Sequence, residues 1–259
     1  MKRNDLPVMI LAGGFGTRLR EETEFRPKPM VPVGGKPMLW HIMKSYAAHG
    51  FYRFIICLGY KGEVIKDYFL NYRYHDVDLT INTKTGSVIE HQAHDDVWEI
   101  TLVDTGLDCL TGGRIARAAA YVDQDRFLLT YGDGLADVNI NSLLNFHLTH
   151  GKLATLTGVS HPSRFGNLIL QDTKIVSFLE KEAISKEWIN GGFFVFKNEM
   201  LSYLKANEEL EEGPMERLVA NKQLAMYPHE SFWFSLDTYR DYRDLEFKWQ
   251  ADIAPWKIW

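Results

Sequence analysis

The feature that most constrains the fold is a glycine-rich segment that directly follows a short apolar run. The apolar run, residues 8–12, is typical of a buried parallel strand. The segment after it reads Gly13-Gly14-Phe15-Gly16-Thr17-Arg18-Leu19. Glycines let a backbone approach a ligand closely, and consecutive N–H groups can form a concave anion site. The pattern predicts a loop that holds a phosphate chain, although a tight strand-to-helix turn would also use glycines for geometry alone.

Two widespread phosphate-binding motifs do not fit this loop. A dinucleotide fingerprint needs G-x-G-x-x-G, and the frame that starts at Gly14 has Leu19 in place of the third glycine. A Walker loop needs G-x-x-x-x-G-K-[ST], and no Gly-Lys pair in the chain is followed by Ser or Thr. Arg18 and Lys28 add fixed positive charge close by. The loop is therefore predicted to bind phosphate in another way.

Strand-like and helix-like segments alternate along the first half of the chain. The strand-like segments are 53–58, 99–104 and 127–131, and the helix-like segments are 37–49, 63–69 and 112–121. This alternation predicts a Rossmann-like α/β fold, with a mixed, mainly parallel sheet and helices on both faces. The second half adds helices at 141–150 and 238–249, strands at 154–159 and 192–196, and a hairpin of 167–170 with 175–180. No repeat or linker divides the chain, and no layout is predicted for residues 76–94.

Composition and charge exclude several classes of partner. The 259 residues carry a net charge of −5, which gives no reason to expect nucleic acid or an anionic membrane as a partner. No apolar run approaches membrane-spanning length, and the N-terminus lacks the apolar core of a signal peptide. The two cysteines, Cys57 and Cys109, lack metal-site spacing, which argues against a zinc site or a disulfide scaffold. A reducing cytoplasm is the expected compartment.

Two aspartates are candidates for a metal site. Asp133 follows an apolar run directly and lies between two glycines, so its carboxylate is accessible at the carboxyl end of a strand. Mg²⁺ is usually held by one or two carboxylates together with substrate phosphates. The alternative for Asp133 is a turn, since Asp-Gly is also a hairpin signal. Asp237 precedes a predicted helix, and its alternative role is the helix N-cap.

Taken together, these motifs resemble those of the sugar-1-phosphate nucleotidylyltransferases, and among them the glucose-1-phosphate cytidylyltransferases. The resemblance covers nearly the whole chain and depends first on residues 11–19 and on Pro27-Lys28-Pro29. The other segments that carry it are 35–44, 101–106, 111–114, 130–134, 164–166, 190–195 and 254–257.

This resemblance implies a fold, a reaction and an assembly. The fold would be that of nucleotide-diphospho-sugar transferases, in a single domain over residues 1–259. The nucleotide-binding half would cover about residues 1–140, and the sugar-binding and assembly half about 141–259. The reaction would be Mg²⁺-dependent, with CTP and α-D-glucose 1-phosphate giving CDP-glucose and pyrophosphate by direct in-line attack. A cytoplasmic homo-oligomer that supplies deoxysugar synthesis for a bacterial surface polysaccharide is implied as well.

The resemblance also implies roles for individual residues. Lys28 and Arg18 would be catalytic, and Asp133 and Asp237 would hold Mg²⁺. The nucleotide would be bound by Leu11, Ala12, Gly13, Gly14, Phe15, Gly16, Thr17, Arg18, Lys28, Thr111 and Arg114. The sugar phosphate would be bound by Glu180, Lys181, Asn190 and Gly191. The alternative for Thr111 is a helix N-cap, and for Arg114 a solvated helix residue.

Some features leave the function open in detail. The chain has Glu182 after Lys181, where the family commonly has proline, so the loop beside the sugar can differ. A related enzyme that uses UTP or dTTP, or another sugar 1-phosphate, is one alternative, and a non-catalytic sugar-nucleotide sensor is another. Trp256 and Trp259 need a surface to bury against, either their own domain or a neighbouring subunit.

Overall fold

A computed structural model describes residues 5–92, 96–160, 167–171, 174–179 and 187–259. The strands are β1 (Val8–Leu11), β2 (Pro32–Val33), β3 (Lys36–Pro37), β4 (Arg53–Leu58), β5 (Leu79–Ile81), β6 (Val88–Glu90), β7 (Glu99–Asp104), β8 (Arg126–Tyr131), β9 (Gly134–Ala136), β10 (Ala154–Ser160), β11 (Asn167–Gln171), β12 (Lys174–Leu179), β13 (Trp188–Lys197), β14 (Leu224–His229) and β15 (Trp233–Ser235). The α-helices are α1 (Arg20–Thr23), α2 (Met38–Ala48), α3 (Gly62–Leu70), α4 (Thr111–Ala118), α5 (Ile140–His150), α6 (Pro214–Ala220) and α7 (Tyr239–Gln250).

A central sheet takes strands from both halves of the chain. Its order is β14-β10-β13-β8-β1-β4-β7. β1 runs parallel to β4 and β8, β4 runs parallel to β7, and β10 runs parallel to β14. Only β13 runs antiparallel to its two neighbours in this sheet, β8 and β10. The mixed, mainly parallel sheet predicted from the alternation of segments is therefore confirmed, and the hairpin of β11 with β12 forms as expected.

Helices cover both faces of this sheet, as the alternating side chains of β1 show. Val8 and Ile10 belong to a buried cluster that includes apolar residues of α2, α5 and α7. Met9 and Leu11 point to the opposite face and join residues of α4 and α6. A strand buried on both faces needs apolar residues at every position, which explains the continuous apolar run at 8–12.

The tryptophan-rich C-terminus packs against its own domain. Trp256 is completely buried, and its ring stacks on Phe232 with centroids 5.7 Å apart. Trp259 meets Trp40 of α2 edge-on at 5.7 Å. The sequence left open whether this tail packs against its own domain or a neighbouring subunit, and it packs against its own domain. The tail therefore gives no argument for a homo-oligomer, which stays a prediction.

The segment for which the sequence predicts no layout contains a short hairpin. Residues 76–94 include an antiparallel hairpin of β5 with β6, on which Ile81 and Ile89 are exposed. None of the helices in the described part of the chain has both the length and the apolar character that crossing a membrane requires.

Candidate active site

The residues singled out by the sequence gather around a cavity of about 740 Å³. It lies at the carboxyl ends of β1 and β8, where parallel sheets commonly bind ligands. The singled-out residues that line it are Leu11, Ala12, Gly13, Gly14, Phe15, Gly16, Thr17, Arg18, Lys28, Thr111, Arg114, Asp133, Asn190 and Asp237. Gly191 follows Asn190 but is not part of the lining. Glu180, Lys181 and segment 164–166 lie outside the described residues.

The loop after β1 presents a run of open backbone N–H groups. Ala12 N donates to Cys57 O at 3.0 Å, and Leu19 N donates to Gly16 O at 3.1 Å. Between them, the N–H groups of residues 13–18 have no protein acceptor within the described ranges. Gly16 has φ +62°, a left-handed conformation that glycine adopts without strain. Consecutive open N–H groups suit an anion, which favours the phosphate-loop interpretation over a turn that uses glycines for geometry alone.

Lys28 lies between the two candidate metal ligands. Its Nζ donates to Asp133 Oδ2 at 2.6 Å and to Asp237 Oδ1 at 3.0 Å. The Arg18 guanidinium pairs with the same Asp237 oxygen at 3.3 Å. The Lys28 side chain is only 12% exposed, whereas that of Arg18 is 76% exposed. The site therefore holds one sheltered cation and one mostly exposed cation, both paired with Asp237.

This arrangement changes the acidity of Asp237. Burial alone would raise the pKa of the Asp237 carboxyl, but the Lys28 ammonium and the Arg18 guanidinium outweigh it and hold that pKa below its ordinary value. The carboxylate is consequently ionised at neutral pH and available to a cation.

The two aspartates differ in whether they take the alternative role that their sequence context allows. The N-cap of α7 is Thr238, which forms a capping box with Asp241, so the N-cap interpretation of Asp237 is wrong. Asp133 does lie in a turn, between β8 and β9. That turn closes no hairpin, because β9 pairs with β15 and not with β8. Both side chains are left to face the cavity.

Arg114 is buried beside the cavity rather than solvated. It is 4% exposed, so the solvated interpretation is wrong. Its guanidinium donates to the Gly13 carbonyl at 2.9 Å and to the Leu58 carbonyl at 3.0 Å. Burial lowers the pKa of Arg114 below its ordinary value, although an arginine keeps its charge in proteins. A direct contact of Arg114 with the nucleotide stays a prediction.

Thr111 is the first residue of α4. The N-cap residue of this helix is Leu110, so Thr111 is not the N-cap. The Thr111 hydroxyl donates to Glu209 Oε2 at 2.8 Å and accepts from Leu210 N at 2.7 Å. The hydroxyl therefore joins the start of α4 to the segment before α6. The N-cap alternative for Thr111 is wrong, and its contact with the base stays a prediction.

Asn190 belongs to a chain of hydrogen bonds that ends at a carboxylate. Its Nδ2 donates to the Tyr131 hydroxyl at 3.2 Å, and its Oδ1 accepts from Gly192 N at 2.9 Å. The Tyr131 hydroxyl donates to Glu211. Both ends of the Asn190 amide are thus fixed, so its orientation is set before any ligand arrives.

Tyr131, Glu209 and Trp233 are among the lining residues that the sequence did not predict. The Trp233 indole donates to the Gly191 carbonyl at 2.7 Å, and this bond ties β15 to β13 beside the cavity. Tyr131 carries a usable signal, because it is the last residue of a strand that leads to Asp133. Glu209 has none, since it lies in a segment without a motif.

Comparisons with known proteins identify the family of this chain. A family profile described as nucleotidyl transferase matches residues 7–246. The glucose-1-phosphate cytidylyltransferase of Salmonella typhi is 47% identical over 98% of this chain and 100% of its own length. The probable glucose-1-phosphate cytidylyltransferase of Bacillus subtilis is 43% identical over the same shares.

Solved structures extend the agreement to the fold. HddC from Yersinia pseudotuberculosis, solved in complex with GMP-PN, is 22% identical with a TM-score of 0.68 over 94% of this chain and 99% of that protein. The fold implied by the sequence resemblance is confirmed. The chain belongs to the nucleotidyl transferase family, in the group of the glucose-1-phosphate cytidylyltransferases.

Proposed function

We propose that the protein joins CTP to α-D-glucose 1-phosphate and yields CDP-glucose and pyrophosphate. The observation that carries this proposal is one cavity that brings together open loop N–H groups, Lys28 and two carboxylates from separate segments. The names of relatives that are 43–47% identical support CTP and glucose 1-phosphate as the substrates.

The chemistry needs no protein nucleophile. A phosphate oxygen of the sugar attacks the α-phosphorus of CTP, and a new P–O bond forms. The bond from that phosphorus to the bridging oxygen breaks on the opposite side, and pyrophosphate leaves with the electron pair. Catalysis then depends on position and on charge. Lys28 neutralises charge at the α-phosphate, while Arg18 and the loop N–H groups hold the departing pyrophosphate.

Asp133 and Asp237 fit a divalent cation, and we assign Mg²⁺ to them. Their oxygens already converge on one positive group, the Lys28 ammonium, at 2.6 and 3.0 Å. No cluster of three or more His, Cys, Asp or Glu suited to a metal occurs in the described residues, so the phosphates would complete the coordination. When bound, Mg²⁺ would supply additional positive charge against the phosphates. The two carboxylates would hold the metal, and Lys28 would turn to the phosphate chain.

The other end of the cavity is assigned to the base and the sugar. Thr111 would contact the base, and the fixed amide of Asn190 would meet sugar hydroxyls, with Gly191 beside it. Glu180 and Lys181, outside the described residues, would bind the sugar phosphate. Two free, buried cysteines support a reducing cytoplasm as the location.

Pyrophosphate release tests the proposal, with glucose 1-phosphate, Mg²⁺ and each of CTP, UTP, dTTP and ATP. We expect release with CTP and, in the Asp133→Asn variant, its near-complete loss. Asp252→Asn, which alters an exposed ion pair with Lys257, is the control and should keep full activity. Release of pyrophosphate with UTP or dTTP alone would agree with nucleotidyl transfer but would reject CTP as the substrate.

If no pyrophosphate is released with any of the four nucleotides, the proposed enzymatic activity is rejected. The sensor would then be favoured if calorimetry still detects nucleotide binding. The pairing of Lys28 with two carboxylates argues against the sensor, because binding a sugar nucleotide without turnover has no need of a metal pair.

A further inference from the structure

We infer that Glu209 selects the nucleotide by accepting a hydrogen bond from the 4-amino group of cytosine. The inference rests on the proposed function, which supplies CTP as the nucleotide, and it adds the residue that distinguishes cytosine from uracil. In uracil a carbonyl oxygen takes the place of that amino group, so a protein acceptor at this point favours one base over the other.

Glu209 lies in a segment that packs along the start of α4. Gly112 N, in the first turn of this helix, donates to Glu208 O at 2.9 Å. The Thr111 hydroxyl donates to Glu209 Oε2 at 2.8 Å, and both of these residues line the cavity. Two parts of the chain that are 98 residues apart thus form one wall of the cavity, with a carboxylate in it.

The hydrogen bonds of the Thr111 hydroxyl leave part of the Glu209 carboxylate unused. A hydroxyl has one proton to donate, and two carboxylate oxygens lie near it, Glu209 Oε2 at 2.8 Å and Glu211 Oε2 at 3.2 Å. The closer oxygen fixes the Glu209 side chain. Its Oε1 accepts no hydrogen bond from the described residues. Since an ionised carboxylate can accept about four hydrogen bonds, Glu209 has capacity for a donor from a ligand.

The surroundings favour a base over a ribose as the source of that donor. Leu107, Cys109 and Leu110, which have apolar side chains, line the cavity just before Thr111. Apolar walls suit the faces of a flat ring, whereas ribose hydroxyls would lack partners there. The amino group of cytosine lies at the edge of such a ring and carries two N–H donors, which a carboxylate can accept.

Asp108 is the other carboxylate in this part of the lining, and it differs from Glu209 in one respect. Asp108 is exposed, and its side chain accepts no hydrogen bond from the described residues. Ordering such a side chain on a ligand costs conformational entropy, which a side chain that is already held has lost beforehand. The bond from Thr111 therefore makes Glu209, and not Asp108, the residue that recognises the base.

The Glu209→Gln variant tests the inference, because an amide of the same shape can turn N–H donors toward the cavity. Calorimetry without metal or sugar gives the affinities for CTP and UTP. We expect the unaltered protein to prefer CTP, and the ratio of the CTP affinity to the UTP affinity to fall roughly 10- to 100-fold in Glu209→Gln. The controls are Asp108→Asn and the exposed Glu212→Gln, which remove the same charge and should keep the ratio.

Several results would overturn the inference. Equal losses of CTP and UTP affinity in Glu209→Gln would mean a contact with the ribose or a structural role through Thr111. Equal affinities of the unaltered protein for CTP and UTP would also reject it, and a ratio lowered by Asp108→Asn instead would assign the base to Asp108. A CTP preference that Glu209→Gln abolishes, without pyrophosphate release from any nucleotide, would reject the proposed function and leave this inference standing.

A second variant covers the case in which Glu209→Gln does not fold. Glu209→Ala removes the acceptor and adds no donor, so the CTP affinity should fall. The UTP affinity should stay or rise, because the uracil carbonyl no longer faces a carboxylate. A CTP preference as strong in Glu209→Ala as in the unaltered protein would contradict the inference.

Discussion

The two ends of the cavity are built in opposite ways. At the phosphate end, the loop N–H groups of residues 13–18 are open, and Arg18 is mostly solvent-exposed. At the far end, polar side chains are already bonded to one another: Thr111 to Glu209, and Asn190 through Tyr131 to Glu211. The first end waits for a charged ligand to complete it. At the second end, these bonds hold the polar side chains in place before a ligand arrives.

The largest expected effect lies at the open end. Lys28→Ala removes a sheltered positive charge next to the α-phosphate, and we expect kcat to fall by about 10²–10³-fold, the usual cost of losing such a group. Lys36→Ala is the control, because Lys36 is paired with Asp76 outside the cavity lining. Single-turnover measurements with CTP and glucose 1-phosphate check it. Near-normal turnover of Lys28→Ala would remove Lys28 from the mechanism.

Removal of Lys28 should lower turnover but strengthen the binding of a divalent cation. Lys28 and a divalent cation would use the same two carboxylates, so the Lys28→Met variant should bind Mn²⁺ about tenfold more tightly than the unaltered protein when no nucleotide is present. Titration followed by electron paramagnetic resonance measures free Mn²⁺ directly. Lys36→Met should leave the affinity unchanged. Equal affinities for Lys28→Met and the unaltered protein would argue against Asp133 and Asp237 as the metal site.

A smaller effect is expected at the closed end. Tyr131→Phe removes the hydroxyl that joins Asn190 to Glu211 but keeps the ring. Of the two bonds that the hydroxyl makes, the one from Asn190 orients the amide; a bond of this kind is worth about 1 kcal/mol, so kcat/KM for glucose 1-phosphate should fall roughly 3- to 10-fold. The KM for CTP should change little. A larger loss for CTP than for glucose 1-phosphate would mean that the far end is assigned to the wrong substrate.

The contrast between the ends also explains what the sequence could predict. The loop at 13–18 and the strand before it are contiguous, so their placement at the cavity follows from a local pattern. Thr111 and Glu209 are separated by 98 residues, and Tyr131 and Glu211 by 80. Such pairs arise from the order of strands in the sheet, which no local pattern specifies. The sequence therefore predicted the open end in detail and the closed end only in part.

Arg114 and Asp237 show the same limit in single residues. The sequence places Arg114 at the start of a helix, where solvent exposure and ligand contact are both reasonable, but its burial depends on the loops that α4 packs against. Asp237 and Thr238 are adjacent and both suit an N-cap. The structure assigns the cap to Thr238 and leaves the Asp237 carboxylate to Lys28.

The smallest expected effect concerns the capping box of Thr238 and Asp241, which lies next to Asp237 at the open end. The Thr238 hydroxyl accepts from Asp241 N at 3.3 Å, and Asp241 Oδ2 accepts from the N–H groups of Thr238 at 2.8 Å and Asp237 at 3.2 Å. Thr238→Ala removes one bond of the capping box, so the free energy of unfolding should fall by about 1 kcal/mol. Urea denaturation measures it, with Thr238→Ser as the control that keeps the hydroxyl. Turnover should change little, because Asp241 still holds the backbone of Asp237. A tenfold loss of kcat with unchanged stability would mean instead that the cap sets the position of the Asp237 carboxylate.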